Sequence, residues 1–345
     1  FEMLNTFMKQ AIPKYRRKGV LDESPLRLTP GSQPVASTPL RFPGKVLADS
    51  KSGRLFIADT GYNRIVVSSL DGEVTDVIGT GERGHRDGAF EQATFSTPQG
   101  MAIHGQALYL ADTENHMIRK LDFQTRQVST LAGTGKQGTT VVLRDSKHPR
   151  RQPLASPWDL AIHKEALYIA MAGAHQIWKM TLDGKQLQTL AGSGTEDIVD
   201  GRLHPKKAFQ TGVADFAQPT GLSHDDEQLY VADSEGSSIR AIGLEKGGEA
   251  RTILGTAHLP KPRRLFTYGD QDGPLNEALL QHPMCVARWQ NQLFVADTYN
   301  NKIKVIDLER SELRTLAGDA NPGSTDDPAR FDEPTGLCVA GDTLF

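Results

Sequence analysis

A short apolar run that ends in Ala-Asp recurs along almost the whole chain. Four full copies are present: Leu-Phe-Ile-Ala-Asp-Thr at 55–60, Leu-Tyr-Leu-Ala-Asp-Thr at 108–113, Leu-Tyr-Val-Ala-Asp-Ser at 229–234 and Leu-Phe-Val-Ala-Asp-Thr at 293–298. A fifth copy, Leu-Tyr-Ile-Ala-Met at 167–171, lacks the aspartate. Self-similarity at a regular interval is typical of units that stack on one another, so the chain is predicted to be a repeat protein.

A proline marks the start of each unit, and the separations between successive prolines are 55, 59, 62, 64 and 51 residues. These prolines are Pro43, Pro98, Pro157, Pro219, Pro283 and Pro334. Four short strands fit between two prolines, and the second is the apolar run. Because that run does not alternate with polar residues, both faces of its sheet are expected to be buried, as in stacked blades. The sequence therefore predicts an all-β propeller with five complete blades and the start of a sixth.

The repeated aspartates stand where the second strand of a unit turns into the third. They are Asp59, Asp112, Asp233 and Asp297. A carboxylate at such a position accepts hydrogen bonds from backbone N–H groups two residues further on. A catalytic carboxylate is needed once or twice, not in four of five complete units. We therefore predict a structural role in the turn, and no catalytic residue.

Composition limits the remaining classes. The net charge of -3 gives no sequence-wide basic field that would attract nucleic acid, and two cysteines cannot form a disulfide framework. Those cysteines, Cys285 and Cys338, follow neighbouring prolines and could approach each other, but buried free thiols are the favoured interpretation. No apolar run is long enough to cross a bilayer, so no membrane association is predicted.

The first 40 residues differ from the repeats. Apolar residues at helical spacing predict a helix over 1–12 that ends at Pro13. Residues 13–40 are rich in Pro, Ser, Thr and basic residues, which is typical of a linker. The predicted organisation is a helix over 1–12 left from an upstream domain, a linker over 13–40 and a propeller over 41–345.

Several motifs resemble a known repeat family. Ala-Asp-Thr-Glu-Asn-His-Met-Ile-Arg at 111–119, followed by Leu-Ala-Gly-Thr-Gly at 131–135, resembles the NHL repeat. Phe-Pro-Gly-Lys-Val at 42–46 and Phe-Ser-Thr-Pro-Gln-Gly at 95–100 are similar to the NHL repeat-containing protein 2 family. The resemblance implies a thioredoxin-like domain followed by a six-bladed propeller. Any thiol–disulfide oxidoreductase activity would then belong to that upstream domain, and no cofactor is implied for the propeller.

The face that carries the turns is the candidate interaction surface. In an up-and-down blade, the turn between the second and third strands and the connection to the next blade emerge on the same face. The longest connections, over 135–154, 194–216 and 256–280, therefore collect there. Candidate residues are Lys45, Gln99, His116, Trp158, Asp159, His175, Arg150, Arg151, Arg263 and Arg264. We expect a non-catalytic, cytoplasmic scaffold that binds a protein partner.

Two alternatives remain open. A metal-dependent lactonase or lyase on the same fold needs several ligands, but strand starts offer one carboxylate, Asp159, and the turns offer two imidazoles, so no metal site is predicted. An RNA-binding propeller would use the loop arginines with Phe266 and Tyr268. Acidic neighbours and the overall charge do not favour nucleic acid.

Overall fold

The computed structural model describes residues 2–20, 38–139 and 145–345, and the chain forms two compact units, Phe1–Pro39 and Leu40–Phe345. The first unit contains the helix α1 (Glu2–Arg17). The predicted end at Pro13 is wrong, because a proline removes only its own N–H donor and the helix continues for another turn. The predicted linker over 13–40 therefore begins inside this helix, and its residues 21–37 lie outside the described residues.

The second unit is a propeller of antiparallel sheets. Blade 1 contains β1 (Lys45–Asp49), β2 (Arg54–Asp59), β3 (Arg64–Ser69) and β4 (Val74–Ile78). Blade 2 contains β5 (Gly88–Ala89), β6 (Pro98–His104), β7 (Ala107–Asp112), β8 (Met117–Asp122) and β9 (Gln127–Ala132). Blade 3 contains β10 (Pro157–His163), β11 (Ala166–Met171), β12 (Gln176–Thr181) and β13 (Leu187–Ala191).

Blade 4 contains β14 (Gly201–Arg202), β15 (Pro219–His224), β16 (Gln228–Asp233), β17 (Ser238–Gly243) and β18 (Glu249–Leu254). The short helix α2 (Arg263–Phe266) follows. Blade 5 contains β19 (Gly273–Pro274), β20 (Cys285–Trp289), β21 (Gln292–Asp297), β22 (Lys302–Asp307) and β23 (Glu312–Ala317). A sixth sheet has two strands, β24 (Val339–Ala340) and β25 (Thr343–Leu344). The predicted five blades and the start of a sixth are confirmed.

The hydrophobic core is a series of layers between neighbouring blades. Every residue of β7 is buried, which confirms that the apolar runs face a blade on each side. Phe56 and Ile65 of blade 1, for example, pack in one cluster with Leu108 of blade 2 and Phe95 of the connection. The first strands of consecutive blades lie side by side around a central channel. The two-stranded sheet contacts the first blade through β24 and β1, and in the segment before it Thr335 Oγ1 donates a hydrogen bond to the Gly44 carbonyl.

The sequence did not predict the short strands at the outer edges of three blades. β5, β14 and β19 belong to the long connections and pair with the fourth strands β9, β18 and β23. Each begins at the glycine of an Asp-Gly pair, and these glycines have φ between +130° and +144°. Only glycine adopts this backbone region readily. These segments bring the connection onto the blade and place its aspartate, which stays partly exposed, in contact with the buried cation of the blade.

Candidate functional site

The four repeated aspartates lie at the predicted strand ends, but their hydrogen bonds differ from the prediction. None of them caps the turn that follows. One oxygen of each accepts the backbone N–H that stands two residues before the proline of the same blade. The donors, at 2.7–2.8 Å, are Arg41, Ser96, Ala217 and Gln281. Each carboxylate is therefore buried and bonded to the incoming connection of its own blade.

A cation neutralises each buried carboxylate. In blade 2, Arg119 Nη1 donates to Asp112 Oδ2 at 2.6 Å, and Arg119 Nη2 donates to Asp87 Oδ1 at 2.8 Å. The equivalent groups are Arg240 with Asp233 and Asp200 in blade 4, and Lys304 with Asp297 and Asp272 in blade 5. Burial raises the pKa of Asp112, and the neighbouring guanidinium opposes that rise. The aspartates are therefore parts of buried ion clusters.

In blade 3, uncharged side chains replace both members of this ion pair. Met171 replaces the aspartate, and its sulfur accepts the Ala155 N–H at 3.3 Å. Trp178 stands seven residues later, where blade 2 has arginine, and it is fully buried. Its indole N–H donates to Gln176 Oε1 at 2.8 Å. An apolar pair thus fills the position of an ion pair, as expected when a buried salt bridge contributes little net stability.

A polar side chain at the end of each turn joins its blade to the next. These residues, Asn63, His116, His175, Ser237 and Asn301, all have φ between +43° and +55°. Each accepts the backbone N–H that precedes the proline of the following blade, at 2.9–3.2 Å. The two histidines accept through Nδ1, which must be unprotonated. Burial lowers the pKa of both imidazoles, while nearby glutamates oppose the shift.

A buried ion pair crosses the central channel. Lys45 on β1 and Asp159 on β10 occupy equivalent first-strand positions, and Nζ lies 3.6 Å from Oδ2. Lys45 Nζ also donates to the Met284 carbonyl of blade 5 at 2.6 Å. Asp159 Oδ2 accepts the Leu222 N–H of blade 4 at 2.8 Å. Burial raises the pKa of Asp159, and Lys45 opposes that rise. This pair connects blades that are not sequence neighbours.

The same position alternates between a functional side chain and glycine around the channel. Lys45, Asp159 and Cys285 occupy blades 1, 3 and 5. Glycines 221 and 336 are two of the intervening residues, and an added Cβ there would lie 2.9 Å from the Cα of Cys285 and of Lys45, respectively. Glycine at these two positions therefore allows the backbones of neighbouring inner strands to approach each other closely. Both cysteines are buried free thiols, and burial raises their pKa values.

Exposed aromatic and acidic side chains meet where blades 4 and 5 adjoin. The His282 ring stacks on Tyr299 with 4.5 Å between centroids and meets Tyr268 edge-on at 6.0 Å. Its Nε2 lies 3.2 Å from Glu235 Oε2. Glu196 and Glu235 both act on the titration of His175, which lies beside them. We call these exposed and half-buried groups the blade 4–5 patch, which comprises Glu196, Glu235, Tyr268, His282 and Tyr299.

The chain is similar to known proteins over almost its whole length. No family model matches it. NHL repeat-containing protein 2 from Homo sapiens is 38% identical over 366 aligned positions, covering 97% of this chain and 49% of that protein. The Gallus gallus protein of the same name is also 38% identical and covers 98% and 49%. This chain belongs to the NHL repeat-containing protein 2 family.

A plant protein is also similar to the chain. Protein SUPPRESSOR OF QUENCHING 1, chloroplastic, from Arabidopsis thaliana is 40% identical over 350 positions, which cover 97% of this chain and 32% of that protein. The chain thus spans about half the length of the NHL repeat-containing protein 2 relatives and 32% of the length of the plant protein.

Solved structures support the propeller fold alone. An auxiliary nutrient binding protein from Bacteroides thetaiotaomicron matches with a TM-score of 0.58 at 11% identity, covering 87% of this chain and 64% of that chain. A chain of a nidogen/laminin complex matches with a TM-score of 0.53 at 16% identity, covering 87% and 85%.

The NHL propeller uses many of the predicted surface residues inside the fold. Lys45, Gln99 and Asp159 are buried. His116 and His175 hold neighbouring blades, as described above. Trp158 is half-buried at the mouth of the channel, where it lines a cavity of about 850 Å³ with Gln99.

The predicted loop arginines have different surroundings. Arg264 forms a two-pronged ion pair with Asp197, which Lys261 also contacts. Arg150, Arg151 and Arg263 are exposed. The arginines therefore do not form one basic surface.

The patch contains residues that the repeat pattern did not single out. Glu235 and Tyr299 follow the Ser or Thr of their turns, where blades 1 and 3 have glycine. A search for large or charged side chains at that variable position would have found both. Among the described residues, no group of three or more His, Cys, Asp or Glu side chains is placed to hold a metal ion. No described helix is long and apolar enough to span a membrane.

Proposed function

We propose that this NHL propeller is a non-catalytic interaction module that binds a protein partner on the face formed by its turns and long connections. One observation carries the proposal. The repeated polar side chains of that face are used to hold the fold together, whereas large aromatic side chains on the same face are exposed.

The polar residues support a non-catalytic role through their hydrogen bonds. A general base or nucleophile needs a free position beside a reacting group. His116 and His175 instead accept backbone N–H groups through Nδ1, and the aspartates of blades 2, 4 and 5 lie in buried ion clusters. Residues committed to such bonds are poorly suited to chemistry on a substrate.

The aromatic residues support binding. Phe266, Tyr268 and Tyr299 have 72%, 48% and 52% of their surface exposed. Exposed apolar groups gathered on one face are typical of protein-binding sites, and tyrosine is enriched at such interfaces. Because Lys261 and Arg264 both pair with Asp197, part of the local positive charge is compensated and the nearby basic residues offer little to a nucleic acid.

The proposal also covers the role of the propeller in the full-length protein. In the resemblance stated above, a thioredoxin-like domain precedes the propeller, and any redox activity would reside there. The propeller would then hold the partner on which such a domain acts. The cytoplasm remains the proposed compartment for this chain, although the plant relative is named as chloroplastic.

Affinity capture tests the proposal. The purified chain, the variant Y268A/Y299A and the control V74A/V77A would be immobilised and exposed to extract of the source cells. Val74 and Val77 are exposed apolar residues on the outer strand of blade 1, so they match the loss of surface elsewhere. We expect proteins that are retained by the chain and the control and lost with Y268A/Y299A. Equal capture by all three, or metal-dependent turnover of a lactone, would contradict the proposal.

A further inference from the structure

We infer that the blade 4–5 patch binds an arginine-bearing segment of the partner protein. This inference rests on the interaction role proposed above and specifies the chemistry of the ligand. It follows from the open aromatic rings, the uncompensated carboxylates and an arrangement of the same kind inside the chain.

The aromatic part of the patch lacks a cation. Arginine or lysine side chains lie over the rings of eight other aromatic residues of the described chain. The rings are those of Tyr62, Phe56, Phe123, Phe95, Phe90, Tyr168, Phe216 and Tyr230, of which two belong to buried clusters with Arg119 and Arg240. No cation lies over Tyr268 or Tyr299 within 38–139 and 145–345.

In blade 1, arginines of the chain itself contact the face of a tyrosine in an equivalent turn. Tyr62 belongs to the turn that is equivalent to the turn carrying Tyr299. Arg64 lies 4.9 Å from the Tyr62 ring centroid, and Arg41 lies 5.8 Å from it. A guanidinium stacks on an aromatic face while its N–H groups remain free for carboxylates. In blade 5, a partner would have to supply that group.

The carboxylates of the patch complement an arginine. Glu235 contacts only His282 among the ion pairs of the described residues, and a histidine carries charge only when protonated. Glu196 is exposed and has no ion pair in that part of the chain. Other acidic groups nearby are neutralised, since Asp270 contacts Lys302 and Lys304. The patch therefore presents carboxylates without a lysine or arginine partner beside two exposed tyrosine rings that no cation covers.

Synthetic peptides test the inference. Fluorescence anisotropy would compare a labelled twelve-residue Gly/Ser peptide carrying four arginines with versions carrying four lysines, glutamates or prolines. We expect the arginine peptide to bind most tightly, ahead of lysine, with no binding of the glutamate peptide. Because exposed cation–π contacts and surface ion pairs are each worth up to about 1 kcal/mol, Y299A and E235Q should each weaken binding by about threefold to fivefold.

A matched control separates site binding from general attraction. Glu114 occupies the turn position of Glu235 in blade 2, so E114Q removes the same charge from the same kind of turn. Binding should be unchanged in E114Q. Equal weakening by E114Q and E235Q, or tighter binding of the proline or glutamate peptide, would overturn the inference. Loss of peptide selectivity while Y268A/Y299A still abolishes protein capture would leave the interaction role standing and reject only the arginine ligand.

Discussion

Lys45 Nζ lies 3.6 Å from Asp159 Oδ2, which joins the first and third blades across the channel. Both side chains are buried, and each also binds the backbone of a further blade. Four blades therefore meet in one small polar cluster. The arrangement suggests that the cluster fixes the relative positions of the inner strands.

Removal of Lys45 tests this role. K45M leaves a buried carboxylate without its cation, so the free energy of unfolding should fall by about 3 kcal/mol or more in urea titrations. The double variant K45M/D159L should recover much of that loss because no charge remains. Equal destabilisation of the single and double variants would argue against an ion pair.

The K45M variant should also gain a characteristic pH dependence. Burial already raises the pKa of Asp159 above its value of about 3.9 in an unfolded chain. Because this pKa is higher in the folded than in the unfolded chain, the carboxyl of Asp159 lowers the free energy of unfolding increasingly as pH rises from the unfolded to the folded pKa. K45M should therefore lose more stability relative to wild type at pH 8 than at pH 5, measured by thermal or urea unfolding. A constant difference would contradict the assignment.

Acidification should weaken the contacts between blades. The pKa values of His116 and His175 are lowered by burial, so their stabilising contribution is complete above the unfolded value of about 6.5 and declines as pH falls below it. Asparagine makes the same bond in blades 1 and 5. We expect H116N/H175N to remain folded. Its free energy of unfolding should decrease less between pH 7.5 and pH 5 than that of the wild-type chain.

A third histidine should leave some pH dependence in H116N/H175N, and a fourth provides a control. His163 also has a lowered pKa, caused first by burial, so some pH dependence will persist in the double variant. H104N changes an exposed histidine and should leave the wild-type profile unaltered. If H104N flattened the profile as much as H116N/H175N, the blade-joining bonds would not be its source.

The buried Arg119 of blade 2 should stabilise the fold more than the partly exposed Arg64 of blade 1. R119M strands two carboxylates, Asp112 and Asp87, and should lower the free energy of unfolding by about 3–5 kcal/mol. Arg64 pairs with Asp59 and is itself 28% exposed, so solvent screens this ion pair and R64M should cost less than R119M. Chemical denaturation of the two variants would measure this difference, and equal costs would contradict it.

The sequence predicted the repeat architecture because periodicity reports burial directly. The apolar runs and turn positions agree with the strands, whereas the helix end at Pro13 does not. The hydrogen bonds of Asp112 could not be predicted, because they depend on a connection that returns 16 residues earlier in the chain. The patch was missed for a related reason. His282 and Tyr299 are separated in sequence and become neighbours only when the fifth blade closes its turn against the preceding connection.

Affinity capture with two double variants provides the most direct test of the division between structural and binding residues. H116N/H175N changes repeated side chains that join blades, and E235Q/Y299A changes the blade 4–5 patch. Proteins bound by the wild-type chain should be retained by folded H116N/H175N and depleted with E235Q/Y299A, as measured by quantitative mass spectrometry. Retention by E235Q/Y299A together with loss from H116N/H175N would contradict it.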